Sequence, residues 1–175
     1  MTIAPRLRKT LITAHVAFSL GWIGALTGFL VLAVTGLTSQ DAQTVRAAYI
    51  ANGLITWYAI VPLAFASLLT GILQAFLTPW GLLRNYWVIF KLVIVVTATV
   101  MLMGKTSGIG YVADLAAERA LSGEDLLGLR YSITGHALGG LAVLLWAAAL
   151  GVFKPRGLTG LGRRKQAEEP APSRP

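Results

Sequence analysis

No cysteine occurs in the 175 residues, so disulfides, thiolate metal sites and thiol chemistry are excluded. Acid is also scarce: seven Asp and Glu stand against 15 Lys and Arg, and none of the seven lies inside a long apolar run. A carboxylate proton relay, a cation pump or a two-metal hydrolase site therefore has no donor set. There is no phosphate-binding glycine loop, no H-E-x-x-H and no serine elbow, which removes nucleotide-driven and hydrolytic chemistry. Histidine is limited to His15 and His136.

What is present is apolar and comes in blocks. Hydrophobic residues make up 55% of the chain, charged ones 13%, and the mean hydropathy is +0.68. Long apolar runs, not amphipathic stripes, are the membrane pattern. The net charge of +8 sits at the ends of these runs, so it argues for membrane topology and anionic lipid, not for nucleic acid.

Four spans are expected, giving an all-α integral membrane four-helix bundle. The first, Thr10–Gly36, follows a basic N-terminus (1–9) and is about twice as long as a signal-peptide core, so a retained helix is expected. On a helix, His15, Ser19, Trp22 and Phe29 share one side, and Gly21, Gly24 and Gly28 the other, with Gly24 and Gly28 spaced for close helix packing. Thr38 and Asp41 have capping-box spacing, so the second helix is expected from near Ser39 to Leu77, kinked at Pro62. The third is Tyr86–Gly104. Between Lys105 and Leu121 a short amphipathic interfacial helix is expected between helices three and four. Ser122 and Asp125 repeat the capping spacing before the fourth span, Gly123–Phe153, which closes a transmembrane domain over 10–153. Residues 154–175, rich in charge, Gly and Pro, read as a basic disordered tail.

Eleven of the 15 Lys and Arg then fall on the side of the termini, and only Arg46, Lys105, Arg119 and Arg130 on the other. This bias places both termini in the cytoplasm.

Depth along the helices sorts the polar residues. At about 1.5 Å per residue, His15 and Lys91 each lie roughly 8 Å inside the cytoplasmic edge, level with Gln74 and Thr70. With Ser19 they define an inner polar cluster. Arg84, Lys154 and Arg156 stand just below it, a basic setting that invites a lipid phosphate or the propionates of a porphyrin. Snorkelling of Lys91 to the headgroups is the plainer alternative. His136 lies about 18 Å from His15 in depth, too far for both to ligate one haem iron. Met101, and less convincingly Met103, is near His136 instead, and Gly139 and Gly140 share the histidine's face. His136 and Met101 form a candidate haem or Cu(I) pair, the glycines admitting a flat macrocycle or simply a packed helix.

His15-x6-Trp22-x-Gly24 and Trp87-x3-Lys91-Leu92, with the ending LGVFKPRGLTG (Leu150–Gly160), resemble bacterial predicted integral membrane proteins grouped as a domain of unknown function. Helices one and three are more distantly similar to the CopD copper-resistance and HemJ-type protoporphyrinogen oxidase families. The HemJ resemblance implies functional roles for His15 and Lys91. The cofactor expected is haem b or another porphyrin, with copper ranked behind and no cofactor as the remaining alternative. The expected function is haem or porphyrin binding, with redox chemistry in prospect. The alternative is a non-enzymatic carrier or partner subunit, as a homo-oligomer or in a membrane complex.

Overall fold

The computed structural model describes residues 4–77, 81–119, 121, 125–155 and 157–168. Four long helices carry the fold: α1 (Pro5–Thr38), α2 (Ala42–Leu77), α3 (Tyr86–Glu118) and α4 (Leu127–Phe153). A short α5 (Gly160–Glu168) follows. Each of the four is long and apolar enough to cross a bilayer. They form a ring in which α1 packs on α2, α2 on α3, α3 on α4 and α4 back on α1. Trp22, Phe29, Ile60, Val112, Ile133 and Leu144 are among the buried residues that fill its centre. The outward surface stays apolar: only 11% of the most hydrophobic window of α3 is buried.

Local chemistry explains most element ends. Pro5 opens α1 at a position where a missing N–H costs nothing. The cap of α2 is Asp41, so the helix starts at Ala42, three residues later than the expected start near Ser39. Its carboxylate accepts from the Thr44 N–H at 2.8 Å and from the Thr44 hydroxyl at 2.6 Å. These bonds hold its carboxyl below the usual carboxylate range, the Thr44 hydroxyl contributing most. Thr38 instead ends α1, its hydroxyl bonded back to the Val34 carbonyl.

Pro62 does act on α2, through a π turn over Thr56–Ile60 in which the Val61 N–H reaches the Thr56 carbonyl. The widened turn lies where a regular helix would drive the proline ring into the carbonyl four residues back.

Several expectations change. Among the described residues no separate interfacial helix stands between the third and fourth spans, because α3 runs unbroken from Tyr86 to Glu118. Gly104, Gly108 and Gly110 suggest a break. Packing overrides them, since Ile109, Val112 and Ala116 are buried and Gly53 of α2 lets the Ala113 methyl come close. Gly24 and Gly28 are likewise open, with no neighbour where a Cβ would stand. Close approach falls to Gly21, against Leu63, and to Gly36, against the Tyr49 ring. The fourth span begins at Leu127, and Ser122 of the expected capping pair lies outside the described residues.

The segment after Phe153, expected as a disordered tail, is docked where it is described. Leu158 bridges to Asn85, the Thr159 N–H donates to the Arg84 carbonyl at 3.0 Å, and its hydroxyl to the Leu83 carbonyl at 2.6 Å. The same hydroxyl accepts from the Gly162 N–H at 3.0 Å, which starts α5.

Candidate functional site

Two cavities divide the interior by level, and each gathers one of the two histidines. The first, about 910 Å³, lies at the end of the bundle that carries Arg8, Arg84 and Lys154. His15, Ser19, Gln74 and Lys91 line it, and Ser67 and Gly71 of α2 complete the wall. The His15 Nδ1–H is directed at the Ser67 carbonyl (3.1 Å) and the Thr70 hydroxyl oxygen (3.2 Å), while the Ser19 and Ser67 hydroxyls bond at 2.8 Å. Gly71 makes room for this imidazole: a Cβ there would stand 3.0 Å from its Cε1. Lys91 is half-buried. A Cβ on Gly151 of α4 would stand 2.9 Å from its Nζ. No carboxylate is among the described residues lining this cavity.

The second cavity, about 770 Å³, is a groove between α3 and α4 in the opposite half. Met101, His136, Gly139 and Gly140 all line it, together with Lys105 and Ser132. Its back wall is Trp22, Phe29, Thr56 and Ile60. The His136 Nδ1–H donates to the Ser132 carbonyl at 2.7 Å, leaving Nε2 as the ring's second nitrogen for a ligand. The Lys105 ammonium donates to the Ser132 hydroxyl at 3.3 Å. Gly139 has open space where a side chain would be, and a Cβ on Gly140 would only touch Leu26 at 3.6 Å. Met103 is not part of this lining.

Sequence reasoning overlooked the π turn that brings Thr56 and Ile60 into the groove, and the clearance glycines Gly71 and Gly151. A glycine on the helix facing a polar residue at the same depth is the signal that was available. It also counted Arg130 as an exterior charge. Arg130 is 2% exposed: Nε donates to the Tyr49 hydroxyl at 2.8 Å, Nη2 to the Gly36 carbonyl, and the guanidinium lies 4.9 Å from the Tyr49 ring centre. Asn52, 2% exposed, does similar work on α1. With its amide nitrogen toward the Phe29 carbonyl (3.2 Å), its oxygen faces the Ala33 N–H (3.3 Å). Among the described residues no buried side-chain nitrogen or oxygen lacks a partner, as a membrane interior demands.

Fold and lining together define a four-span helical membrane protein that, among the described residues, has a half-open cavity at each of two levels. The chain matches no protein-family model, no curated protein and no solved structure, so its function is read from the geometry alone.

Proposed function

We propose that this protein binds haem or a related porphyrin in the groove between α3 and α4. The observation that carries the reading is that His136, Met101, Gly139 and Gly140 line one cavity, with the His136 Nδ1–H already committed to a carbonyl. That bond fixes the tautomer in which Nε2 can ligate a metal. The volume is that of an ordinary cofactor pocket, and its lining is largely apolar with a few convergent polar groups. Gly139 and Gly140 leave a flat floor, and Lys105 offers a cation to a propionate. His136 and Met101 would hold the haem, which would supply a one-electron redox centre, and the groove's other residues would orient and shield it.

Copper is the weaker fit, because no group of three or more His, Cys, Asp or Glu that could hold a metal occurs among the described residues. We place the basic end in the cytoplasm, which puts the groove in the outer half of a bacterial inner membrane. A carrier of an apolar small molecule is the second reading, favoured by the groove's apolar walls.

The visible spectrum of the purified protein decides between them. A Soret band that is lost in His136→Ala and kept in His15→Ala is the expected result. A colourless protein that takes up no added haemin overturns the haem reading and leaves the carrier.

A further inference from the structure

The cavity around His15 and Lys91 shares no described lining residue with the porphyrin groove, and two of its polar atoms are left unused by the fold. The first is on His15. Its ring is set against α2, where Gly71 leaves room for it and the Ser67 carbonyl takes up Nδ1. A carbonyl oxygen only accepts, so Nδ1 carries the proton and Nε2 the lone pair. Among the described residues nothing donates to that Nε2.

The second is the Lys91 ammonium, which belongs to the opposite wall. Its Nζ lies against α4, 2.9 Å from where a Cβ on Gly151 would stand. Among the described residues it makes no hydrogen bond and no ion pair. One cavity therefore holds a vacant acceptor on its α1–α2 side and a vacant donor on its α3–α4 side. Polar groups left unmatched at membrane depth are costly, and an ionisable one marks a ligand site by default. Arg84 and Lys154 also line the cavity, but they are engaged by other groups and the contacts argued here do not involve them.

The apolar lining says how a ligand arrives. Val16, Leu20 and Val152 line the cavity and are exposed on the outside of the bundle, so it opens toward the hydrocarbon. Ile23, Leu92 and Val95 extend the apolar wall. The matching ligand comes through the bilayer, brings an O–H to His15 and places a second oxygen near Lys91. A fatty-acid carboxylate or a phosphodiester has no hydrogen to give Nε2. A hydroquinone has both groups, on opposite edges of one flat ring.

We propose that this cavity binds a lipid-soluble quinone and prefers its reduced, quinol form. One quinol hydroxyl donates to His15 Nε2, the other oxygen accepts from the Lys91 ammonium, and the tail leaves past Val16 and Leu20. The oxidised quinone keeps the Lys91 contact and, having no O–H, loses the one to His15.

The test uses the full chain in a neutral detergent without oxygen, titrated calorimetrically with decylubiquinol, decylubiquinone, the dimethyl ether of the quinol, or decanol. One quinol is expected to bind per chain, about fivefold more tightly than the quinone, which is the worth of one neutral hydrogen bond. The dimethyl ether and decanol are expected to bind at least as weakly as the quinone. His15→Phe is expected to bring quinol and quinone to equal affinity, Lys91→Met to weaken both by a similar factor, and Arg119→Gln, at the opposite end, to change neither. The quinol-to-quinone ratio is taken within one sample, so a loss of stability does not imitate its change. The dimethyl ether comparison is made on the unaltered chain and decides the point even where His15→Phe does not fold. No quinol binding, a quinol that binds no more tightly than its dimethyl ether or decanol, or a quinol preference that survives in His15→Phe overturns the proposal.

Discussion

Arg130 is buried in the core, and the Gly36 carbonyl and Tyr49 are among the partners that hold it there. The Gly36 carbonyl belongs to the last turn of α1, where helix carbonyls lack intrahelical donors and carry partial negative charge. Tyr49 adds a hydroxyl acceptor and the face of its ring. The guanidinium thereby ties α4 to α2 and to the end of α1 with one group. Gly36 is required by the same arrangement, because a Cβ there would stand 2.6 Å from the Tyr49 ring. Arg130→Met leaves the Tyr49 hydroxyl and the α1 carbonyl without their buried donor, and is expected to cost about 3 kcal/mol. Chemical denaturation in detergent measures it. A variant within about 0.5 kcal/mol of wild type means that water or another donor takes over the site. Nothing in the order of residues marks Arg130 for this role. It lies near the start of an apolar run, where a positive charge usually reaches the surface.

At the scale of elements, α2 depends on its first residue and on its middle. Asp41 caps a helix whose acceptor is fully exposed, and the Thr44 bonds lower the carboxyl's proton affinity relative to the unfolded chain. A depressed folded value means that the cap's contribution is present above about pH 4, the ordinary carboxylate value, and is lost as pH falls through the folded one. Melting temperature is therefore expected to fall more between pH 6 and pH 3 for wild type than for Asp41→Asn, which caps without titrating. Parallel curves remove the cap from the account.

The element scale is also where the sequence was most and least readable. Apolar runs without acid announced four spans, because a bilayer imposes a length that few soluble helices reach. Depth counting put His15 and Lys91 at one level and His136 with Met101 at another, since helix rise is nearly constant. Packing around Ile109 and Val112 was not visible in that arithmetic. Lys105 and its neighbouring glycines therefore read as the end of a helix that runs on to Glu118. The pairing of Gly151 with Lys91 was hidden for the same reason: it depends on the rotation of α4 against α3, which a run of apolar residues does not specify.

At the scale of the whole molecule, charge is polarised along the bundle axis. Arg8, Arg84 and Lys154 mark one end, and the other carries Arg119 paired with Asp125 at 2.8 Å. Basic residues near span ends bias orientation during insertion. A reporter fused after Pro175 is accordingly expected to be active in its cytoplasmic form and silent in its exported form. The reverse pattern inverts both the topology and the leaflet assigned to each cavity.

The clasp made by Leu158 and Thr159 sets a schedule for assembly. Leu158 is part of the wall around the cationic cavity, and its neighbour fastens to a turn 75 positions earlier in the chain. During synthesis the four spans leave the ribosome before that clasp does, so the basic end of the nascent bundle stays unfastened while its helices are already in the membrane.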